Sequence, residues 1–102
     1  AKHLANAQKQ LLASNTKAFY EDISKGLYGY LSDKLNIQYA HLDRETIVSA
    51  LQARPVGQLL TQQLLDTLDL CEMARYAPVT HISEKEVFEK AKGIINDIEN
   101  EI

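Results

Sequence analysis

The side chains best suited to chemistry in this chain are one thiol, Cys71, and three imidazoles, His3, His41 and His81. A metal site built on a helix places ligands one turn apart, as in H-x-x-x-H or H-E-x-x-H. The three histidines are scattered too widely to supply such a pair. A nucleophilic cysteine needs a cationic, accessible setting. Cys71 instead extends the stripe Leu60, Leu64 and Leu68 at helical spacing, so it is expected to be a buried, inert thiol. No G-x-S-x-G, P-loop or G-x-G-x-x-G occurs. Gly26 and Gly29 fall inside a helical pattern, the wrong place for a phosphate-binding loop. Glu21 and Asp22 are adjacent and project to different sides of a helix, so they do not make a general acid and base. The expectation is a non-enzymatic chain with no catalytic residue, metal site or cofactor.

Two groups remain as candidates for contact rather than catalysis. Arg75 falls in the last turn of a helix, where a cation complements the helix dipole. Its guanidinium is expected to form a structural ion pair with Glu21 or Asp22 from another helix. The five tyrosines are Tyr20, Tyr28, Tyr30, Tyr39 and Tyr76. Tyrosine suits positions half in the core and half in water, and it is enriched at interface hot spots. Boundary packing and a partner surface formed by Tyr28, Tyr30 and Tyr39 are both open.

The elements that must position these residues are helices. Leu4, Ala7 and Leu11 predict one over 2–13, and Phe19, Ile23, Leu27, Leu31 and Leu35 predict another over 16–35. Asn15 is the expected N-cap of the second. Gly26 and Gly29 weaken that helix by about 1 kcal/mol each relative to alanine, and their expected use is close approach of another helix. Asn36 ends it. Asp43 caps a short helix over 44–53, with Leu42 and Ile47 placed as a hydrophobic staple. Pro55 and Gly57 break the chain before a leucine-rich helix over 58–76, where Leu59 and Leu65 widen the stripe and predict the central helix. Ser83 and Glu86 form a capping box, with Ile82 and Val87 as its staple, for a last helix over 84–101 that Ile102 flanks. No convincing period of two occurs. The fold class is therefore all-α, a compact bundle of about five helices, one of them short, spanning 1–102 as one domain.

At 102 residues the chain is the size of a single domain, and 45% hydrophobic with 25% charged residues is an ordinary globular balance. One cysteine excludes a disulfide scaffold. No stretch is long and apolar enough to span a membrane. The net charge of -3 argues against nucleic acid as the main partner. Lys2, Lys9 and Lys17 stand in a first stretch without acids, whereas Asp97, Glu99 and Glu101 close the chain without bases. These runs read as solvated helix faces or, for the lysines, as a segment beside an anionic membrane surface. Because residue 1 is Ala, a fragment or processed product is expected.

The run from Ala18 to Ile37, AFYEDISKGLYGYLSDKLNI, resembles a helix of the BatD proteins, the Bacteroides aerotolerance or oxygen-tolerance family. The resemblance continues through Leu42–Glu45, where Asp43 stands in place of a frequent serine or threonine, and both types cap helices. It extends through Leu68–Pro78, LDLCEMARYAP, and in character through Val87–Ala91. The C-E-x-A-R-Y-A-P run is its most specific part. The resemblance implies the cytoplasmic helical tail of a single-span inner-membrane protein, beginning just after the span, with the first lysines at the inner leaflet. It implies protein partners of the same operon, a MoxR-type AAA+ ATPase or von Willebrand factor A domain proteins. Two alternatives stand beside this docking domain: a structural or dimerising tail, and a soluble repeat-like helical adaptor unrelated to BatD.

Overall fold

A computed structural model describes residues 2–54, 56–79 and 81–101. The chain break expected at Pro55 and the flanking role of Ile102 lie outside the described residues. A 3₁₀ turn (Lys2–Leu4) leads into α1 (Ala5–Leu12), followed by α2 (Thr16–Leu35). A second 3₁₀ turn (Tyr39–His41) precedes α3 (Arg44–Gln52), α4 (Gln58–Met73) and α5 (Glu84–Glu101). The fold is all-α, with no strand among the described residues. Its principal extents are 38 × 24 × 24 Å.

The helix starts follow from short polar side chains. The Asn15 side chain accepts from the Ala18 N–H at 3.4 Å, and that of Asp43 accepts from the Thr46 N–H at 2.8 Å. At α5 the Glu86 N–H donates to Ser83 Oγ at 3.1 Å. The return half of that capping box differs from the usual form: the Ser83 hydroxyl donates to the Glu86 carboxylate at 3.1 Å. Asn36 closes α2 in the left-handed region at φ 55°, a conformation that asparagine accepts readily. Leu42 and Ile82, the outer members of the expected staples, pack half-buried against a core that includes Ile47 and Val87.

The central element is α2 rather than α4. It packs against α1, α4, α5 and both 3₁₀ turns. Phe19, Tyr20, Ile23, Leu27, Tyr30, Leu31 and Leu35 are its buried apolar residues. The expected breadth of α4 fails at Leu59, which is 74% exposed. That residue shares a helix face with Gln62, Gln63 and Asp66, all exposed, so it never joins the Leu60–Leu64–Leu68 side. Helix α4 also ends at Met73 rather than 76. The Arg75 and Tyr76 amides bond three residues back, to Glu72 and Met73, so the last turn tightens before Pro78.

Paired contacts fix the helix directions. The Thr16 hydroxyl donates to Glu84 at 2.6 Å at one end of α2, and Lys34 Nζ meets Glu99 at 2.7 Å at the other, so α2 and α5 run parallel. Arg44 donates to both oxygens of Asp69 at 3.0 Å and ties α3 to α4. The expected close approach at Gly26 is present, and its partner is the first 3₁₀ turn. A Cβ at Gly26 would collide with the His3 carbonyl and stand 2.9 Å from Leu4 Cδ2. Gly29 meets only His3 Nδ1, at 3.7 Å.

Candidate functional site

A groove of about 330 Å³ opens where α2, the second 3₁₀ turn and the end of α4 converge. Helix α2 supplies one wall with Glu21, Ser24, Lys25 and Tyr28, which fall on one face because they recur at three- and four-residue steps. Tyr39 and Leu42 form the opposite lip, and Cys71, Glu72 and Arg75 close the end beside Tyr20. The rings of Tyr28 and Tyr39 meet edge to face, with centroids 6.1 Å apart and planes at 63°. Tyr39 is 52% exposed. Met73 and Tyr76, close to Arg75 in the chain, are exposed but do not line the groove.

Burial sets the protonation of the groove's ionisable groups. Burial pushes the Cys71 thiol up to about 12, so at neutral pH it stays protonated beneath the tyrosines. Burial also raises the Tyr28 phenol, with the nearby Glu72, Tyr39 and Asp69 adding to it. The Tyr28 phenol therefore acts as a neutral hydrogen-bonding group. Glu21 and Glu72 balance Lys25 and Arg75 around the rim. Such a lining can stack against apolar or aromatic side chains and donate to carbonyls or carboxylates. Among the described residues no group of three or more His, Cys, Asp or Glu side chains converges as a metal site.

Two sequence expectations need correction. Arg75 pairs with Glu72 at 3.5 Å, one turn back, instead of with Glu21 or Asp22. Helix α4 ends in a tightened turn after Met73, and the arginine stays over that turn. Glu21 shares the groove with it, and Asp22 is not part of the lining. Tyr30 does not belong with Tyr28 and Tyr39. It is 4% exposed and faces the junction of the first 3₁₀ turn, α2 and α5, where its ring meets His3 edge-on at 5.7 Å. His3 Nε2 lies 3.5 Å from Asp33 Oδ2. Burial and the nearby Glu99 raise the Tyr30 phenol, yet its hydroxyl forms no hydrogen bond among the described residues.

The sequence reading missed Ser24, Lys25 and Leu42 as groove residues and Glu72 as the partner of Arg75. The signals were there in part: Glu21, Lys25 and Tyr28 share a helix face, and Glu72 and Arg75 are three apart. Comparisons with protein-family models, curated proteins and solved structures return no match to this chain.

Proposed function

We propose that this chain is a non-enzymatic protein-docking domain that receives its partner in the groove between Tyr28 and Tyr39. On the motif resemblance, we further propose that it acts as the cytoplasmic tail of a BatD-like inner-membrane protein, with a MoxR-type AAA+ ATPase or a von Willebrand factor A protein as the docked partner. The observation that carries the docking reading is the half-wet aromatic pair at the lip of an open groove. Tyrosines that keep their hydroxyls in water while presenting ring faces are the side chains that most often anchor interfaces. The balanced rim charges suit a protein surface of mixed charge better than a polyanion.

The test uses purified proteins and direct binding, with Tyr28→Ser and Tyr39→Ser variants. Both tyrosines are incompletely buried, so both variants should keep the fold. Loss of affinity by tenfold or more for one of the named partners supports the groove. Binding that is unchanged in both variants rejects it. Tyr30→Ser is not a usable probe, because Tyr30 belongs to the core.

A further inference from the structure

The short link between α1 and α2 has the features of a hinge. It consists of Ala13, Ser14 and Asn15. The Asn15 amide bonds to Gln10 O at 3.1 Å and the Ser14 amide to Leu11 O at 3.4 Å, the pattern of a Schellman turn. Its left-handed position is occupied by Ser14, at φ 57°, where glycine is the usual residue. The other non-glycine residue with positive φ among those described is Asn36, a type that tolerates it. The cap that starts α2 is weak as well, since the Asn15–Ala18 bond is stretched to 3.4 Å.

The arm this hinge carries packs mainly on α2 and touches α5 as well. Leu4 and Ala7 are buried in the core, the His3 carbonyl lies on Gly26, and the His3 ring meets Tyr30. Every one of these contacts can be supplied equally by the same elements of a second, identical chain. A short hinge under strain favours such exchange. Leu12 adds an independent observation. It is 82% exposed at the very end of α1, with no use in the closed form. If residues 13–15 become helical, Leu12 stands seven residues before Phe19 and eleven before Ile23, on the stripe that forms the core face of α2.

We propose that α1 exchanges between two copies of this chain, with Ser14 as the hinge. In the exchanged dimer α1 and α2 form one helix from Ala5 to Leu35, roughly 46 Å long at 1.5 Å per residue. That is longer than the 38 Å extent of the closed molecule. Straightening releases the left-handed serine and turns Leu12 onto an apolar face. The groove of Tyr28 and Tyr39 lies elsewhere, so the exchange does not depend on the docking reading.

The test is light scattering with size exclusion on the whole chain from micromolar to millimolar concentration. Two hinge variants accompany it. Ser14→Gly removes the strain of the turn and disfavours the straight helix, so it should lower the dimerisation constant at least tenfold. Ser14→Ala combined with Asn15→Ala favours the straight helix and should raise it. A dimer that grows with concentration, falls with the glycine variant and shows a larger radius of gyration by small-angle scattering supports exchange. A monomer in all three proteins, or a dimer indifferent to Ser14→Gly, overturns it, the second because side-by-side association does not involve the hinge.

Discussion

Alanine at position 26 should lower the melting temperature, whereas alanine at position 29, on the same helix, should raise it. Both changes add one methyl to α2 and both gain about 1 kcal/mol of intrinsic helix preference. Their surroundings decide the sign. At Gly26 the new Cβ overlaps the His3 carbonyl and stands 2.9 Å from Leu4 Cδ2 and 3.2 Å from the His3 carbonyl carbon. A backbone carbonyl cannot rotate aside as a side-chain tip can, so the 3₁₀ turn must lift. Lifting it draws Leu4 and Ala7, both fully buried, away from the core. Exposing a leucine costs about 1.5–3 kcal/mol, and overpacking strain is of similar size. Against the gain in helix preference, a net loss of about 2 kcal/mol is expected. For a domain of this size that corresponds to a fall of roughly 10 °C. At Gly29 the nearest atom is His3 Nδ1 at 3.7 Å, an ordinary contact, so the helix gain survives as a rise of about 5 °C. The assay is thermal unfolding by far-ultraviolet circular dichroism, with limited proteolysis of the first residues as a local readout. Equal upward shifts for both variants, with no new cleavage near residue 4, would refute the seating of the N-terminal turn on α2.

Other consequences are simpler. Tyr30→Phe removes a buried hydroxyl that has no partner, so chemical denaturation should show stability unchanged or raised by up to about 1–2 kcal/mol. The Cys71 thiol, raised to about 12 by burial, should react slowly with a disulfide reagent at pH 8 in the native state and rapidly in urea; fast native labelling would place it outside the core. The Glu99 carboxyl is held below its usual range by the hydrogen bond from Lys34, with the lysine's charge adding to it. A depressed folded pKa means its contribution is present above the unfolded value near 4.5 and is lost as pH falls through the folded one. Glu99→Gln should therefore lower stability at neutral pH and flatten this part of the acid limb in a pH series of melting curves.

The helical pattern carried most of the architecture because burial of a stripe and helix spacing are the same physical fact. Phe19, Ile23, Leu27 and Leu31 are all fully buried, and the caps Asn15, Asp43 and Ser83 act where short polar side chains precede a stripe. Tyr30 was also legible. It lies seven after Ile23 and three after Leu27, on the core side, whereas Tyr28 lies off it. Residue type drew it into the wrong group. The partner of Arg75 was not legible from spacing alone, because it depends on where α4 ends. The choice of α2 over α4 as the centre depends on how helices stack, which a single stripe does not encode. The groove needs Tyr39, held in a 3₁₀ turn against α2, and no periodic signal positions a loop residue across from a helix.

The central claim is that the Tyr28–Tyr39 groove docks a protein. Isothermal titration of the purified chain and its Tyr39→Ser variant against the MoxR-type ATPase and the von Willebrand factor A protein tests it most directly. Tyr39 is 52% exposed, so its loss leaves the core intact. Saturable binding to one of these partners, weakened at least tenfold by the variant, with matched melting curves, is the expected result. No binding to either partner, or equal affinity for both forms of the chain, would contradict it.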